Sequence, residues 1–200
     1  MTHVYRSTEE SDRVLSEVAY YVVRQLEGFT YTEPTEDSYS HILVGPNEAK
    51  LYLRLEGDTK GDRIGVSGHF HIGRTAYGNT EFVRPKSGVP SAITVSLARG
   101  EETIAREIKN RYLPKYLAAL AEARAQRDAT QLYMDKKMGN LRHLHNMTGE
   151  TRTLDAGTTR AYLQVGEVYG HIETSDNTAT LDLHCLTMKQ AEAVIKLLKK

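Results

Sequence analysis

Disulfides and membrane-spanning segments are the first features that this sequence lacks. Its 200 residues include a single cysteine, Cys185, so no intrachain disulfide can form and nothing points to an oxidising compartment. No apolar run approaches the roughly 18–20 residues that cross a bilayer. Acidic side chains within the first 25 residues argue against a signal peptide, which has a basic start and an apolar middle. We therefore expect a soluble cytoplasmic protein, long enough to bury a sizeable core.

The sequence also lacks the short motifs of common catalytic sites. It has no Gly-x-x-x-x-Gly-Lys-Ser/Thr, Gly-x-Gly-x-x-Gly, Gly-x-Ser-x-Gly or His-Glu-x-x-His. A two-histidine phosphoesterase needs a hydroxyl two residues after each histidine, whereas Thr174 and Thr187 stand three residues after His171 and His184. We therefore assign no catalytic residue and no cofactor, and we favour a protein that acts by binding.

Hydrophobic periodicity predicts an α+β fold with an antiparallel sheet. A helix is expected over residues 8–27, where apolar residues recur at three- and four-residue spacing behind a capping box. Residues 73–90 have no clear period, so this stretch is either a functional loop or a plain connection. Short turns between strands indicate an antiparallel meander. The meander strands are expected at 41–44, 49–55 and 64–72.

A strand at 91–97 followed by helix up to residue 147 is the central element of the prediction. Pro114 lacks an N–H and clashes with the preceding turn, so we expect a kink or break near residues 110–113. The apolar stripe before and after the proline comprises Ile104, Ile108, Leu113, Leu117 and Leu120. A later stripe comprises Met134, Met138, Leu141 and Leu144. Two uses of the later stripe remain open: packing on the protein's own sheet, or pairing with a second copy of the chain.

The last part of the chain predicts a β-β-α unit. Its first strand covers 162–172, with a bulge at Gly166-Glu167 where the apolar parity shifts. A capping box at Thr187 opens the final helix. The buried face of the second strand is predicted to comprise Ala179, Leu181, Leu183 and Cys185. The inward side of the helix is predicted to comprise Ala191, Val194, Ile195 and Leu198. Residues 148–160 resemble an internal linker within what we interpret as one α+β domain, 1–200.

The net charge of zero is distributed unevenly. Residues 1–62 hold 6 basic and 12 acidic side chains, residues 63–145 hold 14 and 7, and residues 146–200 hold 6 and 7. The basic middle faces either the acidic first third or a polyanion. In the second case it would follow a phosphate backbone, and Tyr52 and Tyr77 would stack on exposed bases. The candidate nucleic-acid-binding residues are His69, His71, Arg74, Tyr77, Arg84, Lys86, Arg106, Lys109, Arg111 and Lys115.

His69 and His71 form a separate candidate, because alternate residues of a strand project from one face about 7 Å apart. This spacing resembles the cupin metal motif. That motif requires a glutamate four or five residues after the second histidine, where this chain has Thr75 and Ala76. A metal would need further ligands. The candidates for these ligands are His41, Glu81, His171 and His184. The alternative is that both histidines are polar residues on a solvated strand face.

Three segments resemble a pattern found in uncharacterised proteins of bacteriophages and bacterial mobile elements. They are Ile-Thr-Val-Ser-Leu-Ala-Arg at 93–99, Ile-Ala-Arg-Glu-Ile at 104–108 and Arg-Tyr-Leu-Pro-Lys-Tyr at 111–116, within a similarity that covers roughly residues 60–130. The resemblance transfers no activity. It implies a small accessory protein in a bacterial cytoplasm that works on nucleic acid or on a host or phage protein.

We therefore predict a non-enzymatic accessory protein that binds nucleic acid through its basic middle. Two alternatives remain open. One is a protein-binding inhibitor or regulator of a host defence factor. The other is a metal-dependent enzyme built on His69 and His71.

Overall fold

The computed structural model describes residues 8–34, 41–56, 63–74, 80–147, 160–175 and 177–198, and the fold is α+β as predicted. The strands are β1 (Thr30–Thr32), β2 (His41–Val44), β3 (Lys50–Glu56), β4 (Arg63–Gly68), β5 (His71–Arg74), β6 (Thr80–Phe82), β7 (Ile93–Ser96), β8 (Arg160–Val165), β9 (Val168–Thr174) and β10 (Ala179–His184). The helices are α1 (Thr8–Gln25), α2 (Glu101–Glu107), α3 (Leu113–Met147) and α4 (Met188–Leu198). A 3-10 turn at Leu97–Arg99 precedes α2, and a π-helical turn at Ile108–Tyr112 joins α2 to α3.

Two compact units make up the chain. The first comprises residues 1–73 and 80–127, and the second comprises residues 74–79 and 128–200. Helix α3 contributes its first part to the first unit and its second part to the second unit. None of the helices in the described part of the chain combines the length and the apolar composition needed to cross a membrane.

The first unit is built on a five-stranded antiparallel sheet in the order β1-β2-β3-β4-β7. In β3, Leu51 and Leu53 are buried while Tyr52 and Arg54 point the other way, as the predicted alternation requires. Leu53 pairs with Val66 of β4, so the apolar positions of neighbouring strands share one face. Helix α1, α2, the π-helical turn and the start of α3 pack on this face. We call it the core face, and we call the opposite side the outer face.

One predicted strand is in fact two. The sequence predicts a single strand over 64–72, but β4 ends at Gly68 and β5 begins at His71 in a separate two-stranded sheet with β6. The stretch 73–90 is therefore not a loop throughout, because it contains the strand β6. The backbone N–H of Val83 donates to the carbonyl of Phe70 (2.8 Å) and extends the pairing of the two strands.

The helical segment changes its winding just before Pro114, where a kink or a break was predicted. The chain accommodates the missing N–H with the π-helical turn at Ile108–Tyr112, whose wider winding holds one extra residue per turn. Tyr112 and Tyr116 face the core and are fully buried. Of the predicted stripe, Ile104, Ile108 and Leu120 are buried, Leu113 is half-buried and Leu117 is exposed. The prediction is therefore wrong at Leu117, whereas Leu113 packs against the core cluster.

The second unit is a three-stranded antiparallel sheet, in the order β10-β9-β8, packed on the second part of α3. Leu141 is fully buried, and Met138 and Leu144 pack against the same cluster. The cluster also contains Ala161, Leu163 and Ile172. Of the two uses open for the later stripe, these three residues therefore serve packing on the protein's own sheet, while Met134 is only half-buried. Residues 148–159 of the predicted linker lie outside the described residues.

The β-β-α unit is present, but it is preceded by one more strand than predicted. Gly166-Glu167 is the turn between β8 and β9 rather than a bulge in one strand, since β8 pairs with β9 directly up to this turn. Gly166 has a φ of 63°, in the left-handed region that glycine adopts without a steric penalty.

The predicted buried faces of β10 and α4 are wrong. Strand β10 is the edge of its sheet, and the buried cluster is formed by β8, β9 and α3. As a result Ala179, Leu181 and Cys185 are exposed, and only Leu183, which is half-buried, packs against this cluster. Helix α4 begins after Thr187 as predicted, yet it has no buried residue. Its Val194, Ile195 and Leu198 are exposed, and Ala191 is half-buried.

Candidate functional site

A row of four rings runs from the outer face of the first unit onto the β5–β6 sheet. The ring centroids of Tyr52 and His69 lie 5.3 Å apart, those of His69 and His71 lie 5.1 Å apart, and those of His71 and Phe82 lie 5.4 Å apart. The two imidazoles are stacked, with 28° between their planes. His71 and Phe82 are exposed, whereas Tyr52 and His69 are half-buried. We call these four residues the aromatic row.

Two buried tyrosines hold the strand ends that carry the row. The Tyr116 hydroxyl accepts a hydrogen bond from the backbone N–H of Lys50 (3.0 Å) and donates one to the carbonyl of His69 (3.1 Å). It therefore stands in the β3–β4 ladder where a direct backbone bond would otherwise close. The Tyr112 hydroxyl accepts from the backbone N–H of Gly68 (2.5 Å). Through these two side chains, the π-helical turn and the start of α3 hold the backbone at the point where the chain leaves β4.

His69 is held on the outer face by its own contacts. Its Nδ1 atom forms a hydrogen bond with the Tyr52 hydroxyl (3.0 Å), and its backbone N–H donates to the carbonyl of Lys50 (3.0 Å). Burial lowers the pKa of the His69 imidazole, and the neighbouring charges of His71 and Lys50 lower it further. His69 is therefore neutral at pH 7 and presents an uncharged ring inside a cationic surrounding.

Exposed cations are neighbours of the aromatic row along the chain. Lys50 and Arg54 share the outer face of β3 with Tyr52 and are exposed, and Arg84 and Lys86 follow Phe82 in the sequence and are exposed. The segment that carries Lys86 is anchored, because the Ser87 hydroxyl donates to Glu122 Oε2 (2.5 Å) and the Ser87 backbone N–H donates to the same carboxylate. These bonds from Ser87 lower the pKa of Glu122. These contacts hold Lys86 near Glu122 of α3, where its charge also lowers the pKa of that carboxyl.

The predicted helical cations belong to the other side of the sheet. Arg106, Lys109, Arg111 and Lys115 are exposed on the helical layer that covers the core face. Arg111 is also paired with Glu107 (3.1 Å). The sheet separates these four residues from the aromatic row, so the single groove predicted from the sequence does not form. Of the remaining predicted residues, Arg74 is exposed at the end of β5 and Tyr77 lies outside the described residues.

A metal site at His69 and His71 would need a third ligand, and the described residues supply none beside the two imidazoles. Within the ranges that the structure describes, no group of three or more His, Cys, Asp or Glu side chains could hold a metal ion. His41 pairs with Leu53 in the sheet register and lies on the core face, on the opposite side from His69. The two histidines therefore act as neighbours in the aromatic row.

His171 and His184 of the second unit lie on one face of neighbouring strands, where Asp182 pairs with His171. The Thr174 hydroxyl points to the opposite, buried face and donates to the carbonyl of Lys137 (2.9 Å). Thr174 and His171 therefore lie on opposite faces of β9, as the three-residue spacing predicts. The face instead carries ion pairs, with His184 3.4 Å from Asp182 and Arg160 3.1 Å from Glu173.

A second polar network of the first unit lies on the core face and was not predicted. His41 is fully buried, its Nδ1 atom is 2.5 Å from the Tyr31 hydroxyl, and that hydroxyl is 3.1 Å from Ser16 Oγ. The other ring nitrogen lies 3.6 Å from Asp12 Oδ1. Burial lowers the pKa of His41, although Asp12 opposes the shift. The network ties α1 to β1 and β2 and thus has a structural role.

The lowered pKa values of His41 and His69 predict that the free energy of unfolding decreases as the pH is lowered. The unfolded chain takes up protons near pH 6.5, where both folded imidazoles stay neutral, so acid favours unfolding. The contribution of the two neutral histidines to the free energy of unfolding is fully present above about pH 6.5. This contribution is lost as the pH falls through the pKa values of the folded protein. Urea midpoints at pH 7.5, 6.5 and 5.5 should decline, and His41→Asn should make the decline shallower. His143→Asn, on an exposed position of α3, is the matched control and should leave the slope unchanged.

Three residues of the site escaped the sequence analysis. Phe82 lies in a stretch with no clear period, although Thr80, Phe82 and Arg84 alternate there. The sequence pattern identified Lys50 only as a polar position of a strand. It identified Tyr116 only as a residue near Pro114. Comparison with protein-family models, with curated proteins and with solved structures finds no match to this chain.

Proposed function

We propose that this protein binds single-stranded nucleic acid through the outer face of its first unit. The observation that carries the proposal is the aromatic row, whose ring centroids are spaced 5.1 to 5.4 Å and whose members His71 and Phe82 are exposed. Exposed rings stack on bases of any sequence, and each stacked base contributes roughly 1–3 kcal/mol. The rings are tilted against one another, by 45° between Tyr52 and His69 and by 66° between His71 and Phe82, so each exposed ring offers its own stacking surface. Bases in a duplex hide their faces, so stacking of this kind favours single strands.

The cations beside the row supply the second half of the recognition. Lys50 and Arg54 stand before and after Tyr52 on the outer face of β3, and Arg84 follows Phe82 in the chain, so these exposed cations are available to contact phosphates of a strand whose bases stack on the rings. Such contacts carry no sequence information, so binding should be sequence-tolerant and sensitive to salt. This chemistry suits the non-enzymatic accessory role in a bacteriophage or mobile element that the resemblance implies.

Fluorescence anisotropy with labelled single-stranded oligonucleotides at 50 and 200 mM salt tests the proposal. We expect affinity to fall as salt rises, and a duplex of the same sequence to compete poorly. His71→Ala combined with Phe82→Ala should weaken binding at least tenfold, because two stacking surfaces are lost. Absence of binding at 50 mM salt would refute the proposal.

A pair of matched charge reversals locates the surface. Lys50→Glu with Arg54→Glu should abolish binding, while Arg106→Glu with Lys109→Glu makes the same charge change on the helical layer and should leave it intact. Loss of binding in the helical pair alone would move the site from the outer face to the helices. Circular dichroism of all variants checks that the fold is retained.

A further inference from the structure

The two imidazoles at the centre of the aromatic row are its titratable part near neutral pH. His69 and His71 are stacked, with 5.1 Å between their ring centroids and 28° between their planes. Of the two outer rings, Phe82 has no ionisable group, and burial raises the pKa of the Tyr52 hydroxyl above its ordinary value of about 10. The proton content of the row is therefore set by His69 and His71, which we call the imidazole pair.

The surroundings of the imidazole pair disfavour a positive charge on His69. Burial lowers the pKa of its ring most, the charges of His71 and Lys50 lower it further, and a hydrogen bond to the backbone of His71 offsets only part of this shift. A proton on one ring of a stacked pair also opposes a proton on the other. His69 therefore carries little charge at pH 7 in the protein alone.

Tyr52 allows His69 to change its charge without leaving its place in the row. The Tyr52 hydroxyl lies 3.0 Å from His69 Nδ1, and a hydroxyl can donate to an unprotonated ring nitrogen or accept from a protonated one. The same hydrogen bond therefore suits both charge states. The titratable and charged groups around the imidazole pair are Lys50 and Tyr52 on β3, Tyr116 on α3, Glu81 on β6 and Arg84 just after β6.

A bound strand reverses the electrostatics around the imidazole pair. Phosphates that contact Lys50 and Arg84 neutralise these cations and add negative charge near the rings, which favours the protonated form of a histidine. A protonated imidazole in turn donates a charge-assisted hydrogen bond to a phosphate oxygen or stacks as a cation on a base. Because a group that binds protons more tightly in the complex strengthens that complex in acid, proton uptake and strand binding favour each other.

We propose that strand binding at the aromatic row is linked to proton uptake by His69 and His71, so that affinity for a single strand increases as the pH falls below about 7. This inference rests on the proposed function of the row. The increase begins near the pKa that His69 has in the complex and ends near the lower pKa that it has in the protein alone. For one proton the increase is at most about tenfold per pH unit.

Fluorescence anisotropy with a labelled single-stranded oligonucleotide, at pH 8.0 and pH 6.2 and constant salt, measures the linkage. We expect the affinity of the parent protein to be about five- to tenfold higher at pH 6.2. His69→Phe with His71→Phe keeps two rings in the row and removes both titrating groups, so its affinity should be the same at both pH values. His143→Phe is the matched control at an exposed position of α3 and should keep the parent's pH dependence. Circular dichroism at pH 6.2 checks that each protein is folded.

Isothermal titration calorimetry in buffers of different ionisation enthalpy counts the protons directly and needs only the parent protein. At pH 6.5 each bound strand should bring about 0.5–1 proton with it, and the double phenylalanine variant should take up none. Equal affinity of the parent at both pH values, or undiminished proton uptake by the double variant, would overturn the linkage and leave strand binding in place. Absence of binding at every pH would refute the proposed function and the linkage together.

Discussion

Replacing Gly68 by alanine should destabilise the first unit by about 3 kcal/mol or more. An alanine Cβ at this position would lie less than 3.0 Å from two atoms of the Tyr116 ring. The ring cannot withdraw, because it is fully buried and its hydroxyl is held by the backbone of Lys50 and His69. Urea denaturation followed by circular dichroism measures the free energy of unfolding directly.

A double variant separates overcrowding from any other effect of the alanine. Tyr116→Ala alone removes a buried ring and its two hydrogen bonds, and should cost about 3–5 kcal/mol. In Gly68→Ala with Tyr116→Ala the new methyl group meets the space that the ring has left. The double variant should therefore be more stable than the sum of the single effects by about 1 kcal/mol or more. Additive effects, or a Gly68→Ala protein as stable as the parent, would show that the ring does not lie against Gly68.

The other large effect is expected at Gly170 in the second unit. A Cβ there would lie less than 3.0 Å from the backbone carbonyl of Asp182 in the neighbouring strand. A backbone atom cannot rotate away as a side chain can, so Gly170→Ala must separate β9 from β10 and should cost about 3 kcal/mol or more. Hydrogen exchange resolved by peptide should report the loss in β8, β9 and β10.

Gly139→Ala is the matched control for this prediction. Gly139 lies within α3, and an added Cβ meets no heavy atom within 4 Å. Alanine is the better helix former, so this variant should be more stable by about 0.5–1 kcal/mol. The hydrogen-exchange rates of β9 and β10 are compared between the two variants. If β9 and β10 exchange as slowly in Gly170→Ala as in Gly139→Ala, the two strands do not approach each other closely at Gly170.

Local patterns predicted the elements of this fold well, because they depend on neighbours in the chain. The alternation of Leu51 and Leu53 with Tyr52 predicted β3 and its buried face, and Pro114 indicated where the regular α-helix is interrupted, although the interruption is a π-helical turn rather than the predicted kink or break. The same patterns failed at α4 and β10. An amphipathic pattern identifies the apolar side of an element, but it does not reveal whether another element of the same chain lies against that side.

In the candidate site too, contacts between sequence neighbours could be predicted, whereas contacts between distant parts of the chain could not. The sequence predicted that His69 and His71 are neighbours on one strand, and their rings do lie side by side, although the strand is interrupted between them. The neighbourhood of Phe82 depended on a β5–β6 pairing that crosses an aperiodic stretch, and the sidedness of Arg106 and Lys109 depended on which face of the sheet the helix covers. Charge counting placed these cations in one basic region of sequence, although the sheet separates them in space.

The Tyr116 hydroxyl has a consequence for the order in which the first unit folds. Lys50 and His69 are close in sequence, but the link between them closes through a side chain 66 residues beyond Lys50 and 47 beyond His69. A hairpin of β3 and β4 can form early, whereas its last rung must wait for the helix to dock, and long-range closure of this kind is slow. The aromatic row is therefore assembled late. A nascent or partly folded chain would therefore not yet display the complete ring array.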